Sequence, residues 1–126
     1  MGNGTSIGRV RGLGTAKHGT HHWLVQRFTA IGNLLLVLWL GISILLLPNM
    51  SYVTVVEWIS SPVSATAMAL LIISTFWHAR LGMQVMVEDY VHGANRFAAI
   101  VALNLLAFAG AAFGLFCVIR LALGGA

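Results

Sequence analysis

One imidazole and one acid–phenol pair hold most of the chemistry this chain can offer. His78 follows fifteen uncharged residues, 63–77, of a long apolar run, and Asp89-Tyr90 stand at that run's end. An ionisable side chain placed inside such a run is costly and marks a functional candidate. Imidazole there can hydrogen-bond a neighbouring helix, relay protons, or ligate a haem iron through one ring nitrogen. His78 alone does not separate these roles. Tyr90 carries a phenol that can donate to a carbonyl oxygen, and Asp89 a carboxylate that can position an arginine or pass a proton. A quinone headgroup needs such donors and protons close to the membrane surface. The plainer reading of the same dipeptide is an interfacial tyrosine beside a loop acid that caps the next segment.

The spacing relates these groups to one another. On a helix turning about 100° per residue, Val85 and Asp89 fall within roughly 20° of His78, Gly82 lies about 40° away, and Arg80 projects about 160° away. His78 sits about 14 Å inside the end of the run at Val87, and Asp89 about 16 Å further along the axis if the helix continues. One stripe therefore presents a deep imidazole, a glycine that lets a flat group approach, and a carboxylate at the surface. His92 is about 21 Å from His78 on the same helix, so the two cannot share one iron.

A second group stands ahead of the first apolar run: His21, His22 and Trp23, with Gln26 and Arg27 following. His18 makes three histidines, but neither carboxylate nor thiolate lies near them in sequence, so a solvated basic segment is favoured over a metal site. Were a haem bound in the bundle, Arg27, His21 and His22 could serve its propionates. Gly110 and Gly114 give a GxxxG spacing that reads as close helix packing, and Asn104 reads as an interhelical hydrogen bond. Met83 and Met86 read as core or lipid contacts.

Three apolar runs must position these residues. Residues 28–47 carry no charge over twenty positions, about 30 Å as a helix and enough to cross a bilayer. Pro48 and Pro62 bound a connecting loop, 48–62, in which Trp58 suits headgroup depth. The second run is 63–87 and the third 97–119, closed by Arg120. The chain then divides into an N-terminal segment 1–27, spans 28–47, 63–87 and 97–119, loops 48–62 and 88–96, and a tail 120–126. Lys and Arg concentrate at one side: Arg9, Arg11, Lys17 and Arg27 precede the first run and Arg96 sits in the 88–96 loop, whereas 48–62 has none. The N-terminus and the 88–96 loop are therefore expected on the cytoplasmic (or matrix) face, with 48–62 and the tail opposite.

Composition agrees with lipid as solvent. Hydrophobic residues make up 59% of 126 positions and charged residues 8%, against roughly 25% charged in soluble domains. The basic balance of +4 is a topology signal; no basic cluster interleaves with aromatics, so no nucleic acid is expected as a partner. Lone Cys117 rules out a disulfide framework, a CxxC pair and covalent haem attachment. The Gly-rich polar start gives no sign of a cleavable secretory signal. No internal repeat supports an inverted-repeat transporter.

Two blocks carry a family resemblance. Gly19-Thr20-His21-His22-Trp23-Leu24-Val25-Gln26-Arg27-Phe28-Thr29-Ala30, then His78-Ala79-Arg80-Leu81-Gly82-Met83-Gln84-Val85 with Glu88-Asp89-Tyr90-Val91-His92, resemble the D-type membrane-anchor subunit of succinate dehydrogenase, respiratory complex II. The second block is the specific one; length and three spans fit along the whole chain. The resemblance implies an all-α integral membrane fold of three transmembrane helices, forming part of a haem-binding bundle shared with a partner subunit. It implies that His78 is one axial ligand of a b-type haem, the other coming from the C-type cytochrome b556 subunit. It places Tyr90 at the ubiquinone carbonyl, Asp89 beside it facing an arginine of the C-type subunit, and Arg27 and His21 near the propionates, with His22 a second histidine for that role. Partners implied are that C-type subunit, an iron–sulfur subunit, a flavoprotein subunit and membrane lipid. The resemblance also implies a chain that catalyses nothing alone and contributes to a quinone site of the tricarboxylic acid cycle and electron transport. The bacterial inner membrane is the expected location, the mitochondrial inner membrane the alternative. Competing functions are a fumarate reductase membrane subunit and, in another class, a small proton or ion transporter using His78, Arg80 and Asp89.

Overall fold

The computed structural model describes residues 19–124; His18 and the basic residues Arg9, Arg11 and Lys17 lie outside the described residues. Four helices follow in order: α1 (Gly19–Leu45), α2 (Tyr52–Ser60), α3 (Pro62–Tyr90) and α4 (Ala94–Ala122). Helices α1, α3 and α4 are long and apolar enough to cross a membrane, at about 40 Å each. Among the described residues the fold is all-α with three candidate spans, as the apolar runs predict. Helix α1 starts well before its apolar run, since residues 19–27 contain no proline and tolerate helix while exposing polar side chains, and it ends at Leu45, two residues short of the run's end.

Punctuation between the helices is local chemistry. The last turn of α1 tightens, with Leu47 N–H bonding Ile44 C=O at 3.2 Å, and Pro48 prevents continuation. Asn49 Oδ1 accepts from Ser51 N–H at 3.0 Å and from Thr54 Oγ1 at 2.7 Å, and Ser51 caps α2 by accepting from Thr54 N–H at 3.3 Å. Ser61 ends α2 and starts α3: its backbone is extended, its hydroxyl oxygen accepts from Ser64 N–H at 3.2 Å, and Pro62 occupies the first helical turn. The α3–α4 turn is short, and its Gly93 takes φ +66°, a conformation a side chain would resist. A connection this short makes α3 and α4 antiparallel neighbours.

Helix α3 lies between the other two long helices. Both α1 and α4 pack on it and not on each other, while α2 packs on α3 and α4. The α3–α4 seam depends on the GxxxG pair: a Cβ at Gly110 would overlap the Phe76 ring, and one at Gly114 would come within 3.1 Å of Ile72. The two glycines make room for the Phe76 and Ile72 side chains of α3 against the α4 backbone, the close packing that the spacing predicts. At the far end Trp39 of α1 stacks on Trp58 of α2, ring centroids 5.7 Å apart. Ser60 Oγ donates to Leu121 C=O at 3.4 Å, tying α2 to the end of α4. Elsewhere large apolar side chains face outward, Phe28, Leu45 and Phe97 among them, as suits a surface in contact with hydrocarbon or a partner.

Candidate functional site around His78

Helix α3 runs unbroken through Tyr90, so the axial spacing between His78 and Asp89 holds. The His78 ring turns toward α1, where its Nδ1 lies 3.1 Å from Thr29 Oγ1. Thr29 is buried, and its hydroxyl lies 2.9 Å from Val25 C=O and 3.0 Å from Gln26 C=O. One turn along, Ser74 Oγ donates to Thr29 C=O at 3.4 Å, and Thr75 Oγ1 donates to Asn33 Oδ1 at 3.5 Å. Together Gln26, Thr29 and Asn33 on α1 meet Ser74, Thr75 and His78 on α3 as a polar seam inside two apolar helices. Such contacts hold helices together where water cannot. No hydrogen bond is made by His78 Nε2 among the described residues.

Gly82 has a different part from the one its stripe position suggests. A Cβ there would stand 3.5 Å from Gln26 Nε2, so the space beside it is occupied by α1. Gln26 Oε1 is itself buried without a hydrogen-bond partner, an acceptor left open beside the His78 seam.

Arg80 points to the opposite flank, as its 160° offset predicts. Its Nε donates to Asn104 Oδ1 on α4, and Asn104 Nδ2 donates to Ile100 C=O at 2.8 Å. Asn104 is thus the interhelical hydrogen bond its position suggested. His21 and His22 line a cavity of about 260 Å³ with Val25, Trp77, Arg80, Leu81 and Gln84, and His78 is absent from its lining. Arg27 lies over the Trp23 ring at 5.4 Å. The structure brings the two histidines together with Arg80 around one cavity.

At the end of α3 the charges sort themselves. Gln84 Nε2 donates to Glu88 Oε1 at 2.9 Å, and Arg96 reaches the same oxygen at 4.0 Å. Asp89 makes no hydrogen bond or ion pair among the described residues, and Tyr90 is 80% exposed, so both present their polar atoms outward. The described residues hold no cluster of three or more His, Cys, Asp or Glu fit for a metal ion. Sequence reasoning missed Thr29, Asn33, Ser74 and Thr75; the available signal was polar side chains recurring at helical spacing inside the two apolar runs.

The chemistry of the residues present fits one ligand to a haem iron: an imidazole whose Nδ1 meets a hydroxyl and whose Nε2 makes no hydrogen bond among the described residues. Three helices long and apolar enough to cross a membrane, with a polar seam between two of them, define a polytopic membrane protein. A family model described as the succinate dehydrogenase/fumarate reductase transmembrane subunit matches residues 1–113, and the chain belongs to that family. It is 41% identical over 86 residues to the succinate dehydrogenase hydrophobic membrane anchor subunit of Rickettsia bellii, covering 68% of each chain. The like-named subunit of Paracoccus denitrificans is 27% identical over 115 residues, 91% of this chain and 89% of that one. The succinate dehydrogenase membrane anchor subunit of Reclinomonas americana is 35% identical over 80 residues, 61% of this chain and 67% of that one. No solved structure matches.

Proposed function

We propose that this membrane anchor subunit supplies one axial ligand, His78, to a b-type haem and forms part of a ubiquinone reduction site with Tyr90 and Asp89. The observation that carries the reading is the His78 ring itself, held at Nδ1 by Thr29 and free at Nε2, on the helix that ends in Asp89-Tyr90. When bound, the haem supplies a one-electron carrier within the membrane. His92 lies beyond the end of α3 and too far along the axis to share an iron with His78; the family resemblance implies that the second ligand would come from the C-type cytochrome b556 subunit. Tyr90 donates its hydroxyl to a quinone carbonyl, and Asp89 orients a cation of the partner chain and handles the proton. Arg27 serves the propionates; His21 and His22 take that role only if the haem edge reaches the cavity they share with Arg80.

The anchor holds the iron–sulfur and flavoprotein subunits at the cytoplasmic face of a bacterial inner membrane. In this reading residues 28–47, 63–87 and 97–119 lie in the hydrocarbon, and Arg96 with the basic N-terminal residues remains inside. Flux from succinate to quinone is favoured over the fumarate reductase direction by the names of the relatives. A proton or ion path through His78, Arg80 and Asp89 would need these groups in line, whereas His78 meets Thr29 on α1 and Arg80 bonds Asn104 on α4. Gentle purification of the complex from its membrane tests the whole reading. The expected preparation contains a flavoprotein and an iron–sulfur protein and has a b-type absorption spectrum; a colourless preparation of this chain alone would contradict it.

A further inference from the structure

The three contacts of one hydroxyl determine which nitrogen of His78 carries the proton. A threonine hydroxyl has one hydrogen and two lone pairs, and a backbone carbonyl can only accept. Thr29 Oγ1 stands 2.9 Å from Val25 C=O and 3.0 Å from Gln26 C=O, so its hydrogen is directed to that pair of carbonyls. Were it turned to His78 instead, two oxygen–oxygen contacts at hydrogen-bonding distance would contain no hydrogen. What the hydroxyl offers to Nδ1 at 3.1 Å is therefore a lone pair, and Nδ1 must be the protonated nitrogen. The other ring nitrogen agrees: a proton on Nε2 would have no acceptor among the described residues.

We infer that Thr29 is a positioning residue that fixes His78 as its Nδ1–H tautomer and aims the bare Nε2 lone pair away from α1 for metal ligation. This rests on the proposed haem role of His78 and adds to it the group that prepares the ligand. Back-bonding to its own helix fixes the Thr29 rotamer, so the acceptor is in place before any cofactor arrives. Burial of Thr29, 8% exposed, keeps water from substituting for it. The Ser74 bond to Thr29 C=O sets the local register of α1 against α3 without touching the ring.

An imidazole that donates from Nδ1 is a more basic ligand and favours the ferric state. In the assembled complex, Thr29→Val keeps the shape and removes the acceptor. The haem midpoint potential should rise by roughly 30–60 mV, a three- to tenfold change in the ferric/ferrous equilibrium at about 59 mV per tenfold for one electron. Thr29→Ser should restore the native potential, and Ser74→Ala should leave it unchanged. If Thr29→Val costs haem altogether, retention by Thr29→Ser carries the same conclusion. A native potential and spectrum in Thr29→Val would overturn the inference while leaving His78 as ligand. So would a serine variant that behaves like valine, or an equal shift in Ser74→Ala. A native complex without haem would overturn the ligand role and this inference together.

Discussion

His78 is held by a threonine 49 residues earlier in the chain: Thr29 Oγ1 meets its Nδ1 at 3.1 Å across the α1–α3 seam. In the proposed haem role, that contact would turn a membrane-embedded imidazole from a cost into a prepared ligand. On the inferred tautomer its proton is directed to a protein acceptor, and its second nitrogen faces away from α1. The other polar groups of α3 are disposed around the same axis, with Arg80 bound to α4 on the opposite flank and Asp89-Tyr90 at the exposed end.

Replacing Tyr90 by Phe removes a hydroxyl that is outward-facing and packs against nothing essential to the fold. Quinone reduction by the complex should fall by about 2- to 12-fold, the equivalent of one neutral hydrogen bond of about 0.5–1.5 kcal/mol. Succinate oxidation by a soluble dye should be unaffected. Steady-state turnover with each acceptor checks this, and unimpaired quinone turnover would remove Tyr90 from the site.

Gly110→Ala should loosen the α3–α4 pair, because its Cβ would overlap the Phe76 ring. Overpacking of this kind costs about 1–3 kcal/mol. Gly41, where a Cβ would meet nothing within 4 Å, gives the matched comparison: Gly41→Ala should be tolerated. Thermal midpoints of the solubilised complexes should fall for the first variant only; equal midpoints would mean that the helices can shift apart without loss.

Asn104→Leu should strand the Arg80 Nε–H inside the bundle, a loss of about 1–3 kcal/mol. Changing Arg80 to Met as well should recover part of it, since the two residues form one hydrogen-bonded unit and their effects will not add. A double variant as damaged as the sum of the singles would show that Arg80 draws on partners other than Asn104.

Much of this arrangement was legible in the sequence, for physical reasons that differ by residue. The angular offset between His78 and Arg80 follows from helix pitch alone, and the structure sends them to α1 and α4 accordingly. Gly110 and Gly114 announced a close seam because lipid gives helices little other reason to carry paired glycines. The partner of His78 was not legible: periodicity identifies the polar residues of each helix but not which of them meet across a seam. Gly82 misled for the same reason, since its stripe position does not say that Gln26 fills the space beside it. The early start of α1 was hidden because residues 19–27 carry polar side chains that hydropathy reads as the end of a span.

The proposed role of His78 is to hold iron with its imidazole. The most direct test is the reduced-minus-oxidised absorption spectrum of the assembled complex carrying His78→Ala, recorded beside the native complex at equal content of the iron–sulfur subunit. Loss or displacement of the b-type bands in the variant is the predicted result. An unaltered spectrum from a fully assembled variant would contradict it and leave His78 as a purely interhelical residue.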